Sequence, residues 1–376
     1  MKRIAYPWTG KVCLSIMILL LCLHQRTWAG EPVTNSSTGT GETEKKTPGK
    51  KKLSWNGPDA LAAYRTMWNP LSAGPELIPM ADTAPPGEFY VRPFFYGQFV
   101  QAQYGNGGVH SLSNGFYETQ LLSLAEIGVG ITDNTQFTIF PSMASIWSSY
   151  GGVFNDGTGM SDLTMEIKYR FYVQHPDGDL PSMAFALHLT LPTSDWTNAP
   201  VVKGGLPPLA RIPSTHYGSP ALTPALLTRY IARPLRFYGD VFYTFDFPGN
   251  GTLSGVPGKP LIQFGDILQY RFGVEDIVRD ASGTGLILEF VGMSGLPFSI
   301  DGLPVNGLPV TASGLHVGAF NLWGIQPTFE TNITRNLIFS VGVLLPVAGT
   351  NQYQSISPNM SLYWYWGPDG GDVVAR

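Results

Sequence analysis

The stretch from Asp162 to Phe171 alternates without a break. Asp162, Thr164, Glu166, Lys168 and Arg170 are polar, and Leu163, Met165, Ile167, Tyr169 and Phe171 are apolar. A side-chain period of two is that of a β-strand with one polar and one apolar face. A soluble sandwich turns the apolar face into its core. An outer-membrane barrel turns it toward lipid and keeps the charges in the lumen.

The pattern recurs. It predicts twelve strands, at 88–104, 116–131, 135–149, 160–174, 181–192, 219–232, 235–248, 262–278, 284–295, 316–331, 335–347 and 355–366. These are longer than the usual soluble strand of about 5–6 residues. They suit tilted membrane strands of about 9–11 residues with extensions. The links add a second signal. Thr132-Asp133-Asn134, Arg233-Pro234 and Asn332-Ile333-Thr334 are short, whereas 193–218, 249–261 and 296–315 are long. Alternating short and long links are the periplasmic turns and external loops of an outer-membrane barrel. An even strand count places both termini on the periplasmic side.

The faces agree. Leu235, Phe237, Gly239, Val241, Tyr243, Phe245 and Phe247 share one side of the seventh strand, opposite Arg236, Asp240, Thr244 and Asp246. In the last strand Met360, Leu362, Trp364 and Trp366 oppose Ser361, Tyr363 and Tyr365. Trp147, Tyr169, Phe171, Tyr243, Trp323 and Trp366 fall near strand ends, where interface girdles sit. The expected fold class is therefore all-β: a transmembrane antiparallel up-and-down β-barrel of about 12 strands at 88–366.

Composition fits that reading. Charged residues are 13% of the chain, against about 25% in soluble domains, and aromatics are 12%. Met1-Lys2-Arg3, an apolar run from Val12 to Leu23 and Thr27-Trp28-Ala29 describe a signal peptide, 1–29, cleaved after Ala29. The run is too short to span a bilayer. Leu21 is too large to precede a lipidated Cys22. Cys13 and Cys22 would leave with the signal, so the mature chain would hold no thiol or disulfide. Cleavage removes Lys2, Arg3, Lys11 and Arg26 and no acid, taking the net charge from −4 to −8. That balance argues against nucleic acid as a partner.

Residues 30–54 read as a solvated tail ending in Lys50-Lys51-Lys52. Residues 59–68 suggest a short helix with Asp59 as N-cap and Pro70 beyond its end. Residues 70–87 hold five prolines and read as a connector. The whole stretch 30–87 is a flexible tether or a plug in the lumen, and 367–376 is a periplasmic tail.

Several stretches resemble the outer-membrane family named for the MetA pathway of phenol degradation. Gly128-Val129-Gly130-Ile131-Thr132-Asp133-Asn134 is similar to its periplasmic turn. Residues 157–171, "GTGMSDLTMEIKYRF", resemble its Gly-x-Gly-Asp-x-x-x-x-x-Lys-Tyr-Arg-Phe strand, with Met160 and Ser161 between the second Gly and Asp162. "LTLPTSDW" at 189–196 resembles its Leu-Pro-Thr-Gly segment, with Ser194 for Gly. "IFSVGVLLPVAG" at 338–349 resembles its penultimate strand. The resemblance runs from about 120 to 365. It implies a barrel and transport of aromatic or other apolar compounds, and it carries over no functional residues.

The candidate site is the lumen wall. Arg92, Glu126, Asp162, Glu166, Lys168, Arg170, Arg229, Arg236, Asp240, Arg271, Glu275, Glu289 and Glu330 should all point inward. Lys or Arg facing lipid at mid-bilayer would cost about 2–4 kcal/mol. These charges form either a mixed-sign network that rigidifies the barrel or the lining of a conduction path. Twelve strands lie between the filled eight-stranded case and the open barrels of about 16–18, so any pore is narrow.

A hydrolase would need a nucleophile beside a base. The nearest pattern is His188-Leu189-Thr190, two positions apart on one face. His110, His175, His216 and His316 are scattered through loops and turns, so the sequence calls for no metal or other cofactor. Gly105-Asn106-Gly107-Gly108 lacks the Lys-Ser/Thr and helix of a phosphate loop. The expected partners are outer-membrane lipid and a small apolar or aromatic solute, which the apolar loops 204–213 and 295–310 would collect. The sequence does not fix an oligomeric state.

Overall fold

A computed structural model describes residues 55–105, 108–112, 116–150, 153–178, 180–193, 219–250, 261–263, 265–297, 299–304 and 319–367. The signal peptide, the tail at 30–54, the loop 204–213, His216, His316 and nearly all of the tail at 367–376 lie outside the described residues.

One helix, α1 (Pro58–Arg65), precedes the strands. The barrel strands are β1 (Phe89–Gly105), β2 (Tyr117–Thr132), β3 (Thr135–Phe140 and Ser142–Tyr150), β4 (Val153–Met160 and Leu163–Tyr172), β5 (Ser182–Leu191) and β6 (Ala221–Ala232). They continue as β7 (Leu235–Asp246), β8 (Ile267–Arg279), β9 (Thr284–Gly295), β10 (Phe320–Thr334), β11 (Leu337–Thr350) and β12 (Gln352–Trp366). Each strand pairs antiparallel with the next, and β1 pairs with both β2 and β12. The chain is a closed twelve-stranded antiparallel barrel. Closure leaves no unpaired strand edge, the condition for a sheet in a bilayer. Among the described residues no helix is long and apolar enough to cross a membrane.

The faces follow the alternation. Ile167 is 50% exposed and its neighbour Glu166 is 3% exposed. Val241 and Phe245 face out while Arg236, Asp240, Thr244 and Asp246 are buried. Met360, Leu362 and Trp364 face out while Ser361, Tyr363 and Tyr365 are buried. The outward apolar band carries Trp147 and Trp323 toward one rim. At the other rim Phe89 stacks on Trp366, with ring centroids 5.5 Å apart.

One end of the barrel, the turn side, has the short links Asp133-Asn134, Arg233-Pro234, the 3-10 turn Asp280–Ser282 and Arg335-Asn336. Both strand termini lie there, since Phe89 pairs with Trp366 and with Val129. The opposite end, the loop side, departs from the expected rule in two places. The sequence reading makes 150–159 and 348–354 links. Instead Tyr150 pairs directly with Val153, and β11 reverses into β12 through Asn351 alone, at φ +53°. Asn tolerates the left-handed region that a one-residue reversal needs. The glycine-rich run Asn155-Asp156-Gly157-Thr158-Gly159 reads as a loop but extends β4, held by pairing with β3.

Two breaks sit side by side. Pro141 has no N–H to donate and interrupts β3, and Ser161-Asp162 interrupts β4. The Pro141 carbonyl accepts from Ala125 N–H at 3.0 Å, and Ser161 N–H donates to Ser142 at 2.8 Å, so the sheet continues past both. The expected strand at 262–278 begins at Ile267 instead, because Leu261–Gln263 joins Gly249–Asn250, Ser299–Ile300 and Leu303–Pro304 in a separate small sheet.

The helix also differs. It runs from Pro58 to Arg65, with Gly57 at the N-cap and no side-chain cap. Pro58 takes the first helical position, where its missing N–H costs nothing, and moves Asp59 into the first turn.

Candidate functional site

The stretch Asn69-Pro-Leu-Ser-Ala-Gly-Pro-Glu-Leu-Ile-Pro-Met-Ala-Asp-Thr-Ala84 runs inside the barrel. Its partners lie on strands all around the wall, which only a chain in the lumen can reach. Burying sixteen residues of irregular backbone requires a hydrogen-bond partner for each polar group. Prolines 70, 75 and 79 lack an N–H and lower the demand for acceptors. Gly74 turns the chain at φ +75°, and a Cβ there would lie 2.7 Å from Met80 Sδ. On the wall, a Cβ at Gly130 would lie 2.0 Å from the Pro85 carbonyl, so glycine lets the segment pass against β2.

The wall supplies the partners by sign. Acids accept from segment N–H groups: Glu330 from Ala73 at 3.1 Å, and Glu289 from Glu76 and Leu77 at 3.1 and 2.7 Å. Glu275 accepts from the Ser72 hydroxyl at 2.8 Å. Cations donate to segment carbonyls: Arg236 to Pro70 at 2.6 Å, Lys168 to Met80 at 3.2 Å, and Arg271 to Leu77. Arg92 donates to the carbonyls of Ala73, Gly74 and Pro75 at 3.3–3.5 Å and lies 3.7 Å from Glu76. The hydroxyls of Ser340 and Ser361 also donate to Glu76.

Asp82 is held most firmly. It accepts from Arg170 at 3.2 Å, from Tyr64 at 2.8 Å and from Arg229. Arg229 also donates to Asn69 at 2.5 Å, and Arg170 to the Asp133 carbonyl at 2.8 Å.

The helix closes the turn-side mouth below this network. Leu61 and Tyr64 pack on Val173 and Ile231, with Met67 and Trp68 against them. Trp68 donates to Asp280 at 3.0 Å, and Arg65 meets Asp133 at 2.9 Å.

The thirteen charges named from the sequence are buried, except Glu126 and Arg271, which are half-buried. Nine of them contact the interior segment as described. Glu126 accepts from the Tyr90 hydroxyl at 2.8 Å, and Glu166 from Thr138 at 3.2 Å. Asp240 stands opposite Arg271 in the β7–β8 pairing, and Asp162 lies at the break in β4. Sequence reasoning missed the segment's own members, Asn69, Ser72, Glu76 and Asp82. The available signal was two isolated acids, Glu76 and Asp82, in a proline-rich run that carries no other charge from 69 to 87.

A cavity of about 320 Å³ lies between the segment and the wall, lined among others by Phe94, Tyr96, Phe140, Leu124, Glu126 and Lys168. His188 sits nearby, its Nε2 3.3 Å from Glu166, between the rings of Phe140 and Phe242. The Thr190 hydroxyl pairs with Thr164 at 2.9 Å. Nothing in this geometry couples His188 to Thr190 as base to nucleophile. On the outside, a depression over Gly239 is walled by Phe272 and Phe290. The strand pairing beneath it is unbroken from β6 to β10, so it does not open into the lumen.

No protein-family model matches the chain. No curated protein matches it. Among solved structures, it is similar to the COG4313 outer membrane channel from Pseudomonas putida F1. That match has a TM-score of 0.60 at 13% identity and covers 78% of this chain and 100% of that one. At that identity the likeness is one of fold. The transport unit of the Escherichia coli autotransporter AIDA-I matches at a TM-score of 0.43 and 10% identity over 81% of this chain and 97% of that one. A TodX monoaromatic hydrocarbon channel mutant matches at 0.38 and 8% over 75% and 91%. Both are too distant to add to the argument.

Proposed function

We propose that this chain is a passive outer-membrane channel for small apolar or aromatic solutes, closed at rest by its own residues 69–84. The observation that carries the reading is a closed barrel, apolar outside and charged inside, whose lumen is filled by one extended segment rather than by wall side chains alone. A segment tied by hydrogen bonds and ion pairs can leave as a unit, whereas interdigitated wall residues cannot. The aromatic lining of the cavity beside it suits a ring, and the fold shared with a known outer-membrane channel supports the same reading. On this proposal residues 1–29 direct export, the turn side is periplasmic, and the long loops face outward.

The test is conductance of the purified protein in planar bilayers. Brief openings in the full chain, lengthened when residues 69–84 are deleted, support a channel. A silent barrel in both forms supports the second reading, a structural barrel with a permanently closed lumen. That reading is favoured by the number of wall strands that the segment ties together.

A further inference from the structure

We propose that Trp55 anchors the entrance of the interior segment in the lipid headgroup layer outside the barrel, and that the five lysines ahead of it in sequence bind an anionic phospholipid surface. The inference goes beyond the channel reading and does not need the barrel to conduct.

The path of the chain carries it. Tyr172 pairs with Met183 across a register shift in the β4–β5 ladder, and Met183 shares a face with the exposed Phe185. Paired residues lie on the same face of a sheet, so Tyr172 also points outward. Trp55 stands edge-on against its ring, at 6.2 Å. Asn56 donates to the hydroxyl of Tyr169, another outward residue, at 3.0 Å. Six positions after Trp55, Leu61 packs inside the mouth on Val173 and Ile231. The chain therefore passes from the outer wall over the rim between 55 and 61. The crossing is pinned: Val173 N–H donates to the Trp55 carbonyl at 2.9 Å, and the Asn134 side chain to the Asn56 carbonyl at 3.0 Å.

The surroundings name the layer. Ile167 belongs to the outward apolar band, and Tyr169 and Tyr172 follow it to the turn-side end of β4. Trp55 sits beside that end and is 67% exposed. An indole joins an apolar body to one N–H, and Trp and Tyr concentrate where hydrocarbon gives way to headgroups. In water this indole leaves most of its apolar surface uncovered. In the headgroup layer the surface is covered and the N–H keeps polar partners.

Charge selects the lipid. Lys45, Lys46, Lys50, Lys51 and Lys52 fall within ten positions before Trp55, and no acid stands between Lys45 and Trp55. Chain length alone keeps Lys52 within about 11 Å of Trp55. A polybasic stretch beside a membrane is drawn to anionic headgroups, with roughly a fivefold gain in affinity for each lysine close to the surface. On the sidedness proposed above, that surface is the periplasmic leaflet. Held at Trp55, helix α1 stays tied to the rim of the mouth it closes.

The test uses the full chain in vesicles of phosphatidylcholine and in vesicles of an equal mixture of phosphatidylcholine and phosphatidylglycerol. The first readout is depth. Bimane on a cysteine at 55 should be quenched by lipid carrying a nitroxide on its headgroup, and much less by iodide in the water. Quenching by iodide alone overturns the anchor. The second readout is hydrogen exchange of the Val173 amide, whose acceptor is the Trp55 carbonyl. Exchange should be slower by about fivefold or more in the anionic vesicles than in the neutral ones. Changing all five lysines to glutamine should remove that difference, and so should molar salt. Trp55→Ser should speed exchange in both vesicles and shrink the difference. A Trp55 that only packs on Tyr172 would speed exchange when replaced but show no dependence on lipid. Equal exchange of the parent in the two vesicles overturns the lipid site, as does a difference that survives the loss of the lysines. Heat-dependent gel mobility reports whether each variant still forms the barrel. Conductance is measured separately: a silent barrel that passes both readouts keeps the anchor and loses the channel, and a conducting barrel that fails them keeps the channel and loses the anchor.

Discussion

The turn-side and loop-side halves of the lumen are built from the same strands, yet they are filled differently. On the turn side, acids on β8, β9 and β10 face cations on β1, β4, β6 and β7, and the segment 69–84 lies between them. Toward the loop side the interior holds aromatic contact, local pairing and single acids such as Glu118 and Asp246, with no part of the segment between them. Val100, Phe116 and Tyr353 cluster with Leu112, and Phe116 stacks on Tyr353 at 5.4 Å. Thr223 pairs with Thr244 at 2.9 Å, and Gln98 with Ser355 at 3.2 Å. The turn side is packed like a protein core whose polar groups need partners from another part of the chain. The loop side satisfies itself from its own strands. On the channel proposal, the gate is the filling that is separable from the wall, and it lies on the turn side.

This comparison can be broken by mutation. The largest effect should come from the turn side. Arg236 pairs with Glu275 at 3.6 Å, donates to Pro70 and lies over the Trp68 ring. Arg236→Met leaves Glu275 buried without its cation and should cost about 3–5 kcal/mol, read by refolding from urea into detergent. A loss below about 1 kcal/mol would mean that the network is not structural.

The next effect tests the outer wall. Ile167→Arg puts a charge on the outward face and should cost about 2–4 kcal/mol in lipid. A soluble sandwich with Ile167 in its core would lose stability too, so a second readout is needed. A fluorophore on a cysteine at 167 should be quenched by acyl-brominated lipid, and one at 166 should not. Equal quenching at both would contradict the face assignment.

The smallest effect belongs to the loop side. Thr223→Val removes one partner of a hydroxyl pair between neighbouring strands and should cost about 0.5–1.5 kcal/mol. It should leave hydrogen exchange in 69–84 unchanged. A rise there would show that the two halves are coupled.

Much of the barrel was legible because alternation is a local signal. The residues of β4, β7 and β12 carry their inward and outward sides in their order, and a closed barrel needs only that order repeated. Strand ends were less legible. Nothing local tells that Asn155 to Gly159 extend β4, because their pairing with β3 outweighs their turn-like composition. The site was half legible. Wall charges show themselves by being charges among apolar neighbours. Their hydrogen-bond partners lie 17 to 257 positions away in sequence, in a segment whose prolines mark it as irregular but not as buried. A lumen-facing Arg92 and a lone Glu76 become a pair only once the chain is inside the barrel.

The central proposal is that residues 69–84 close the turn-side half of the lumen. The most direct measurement is single-channel conductance of the full chain and of the chain lacking those residues, in the same planar bilayer. The account predicts a mostly silent full chain and a steady open level in the deletion, with the deletion still running as a folded barrel on unheated gels. A folded deletion as silent as the full chain would contradict it.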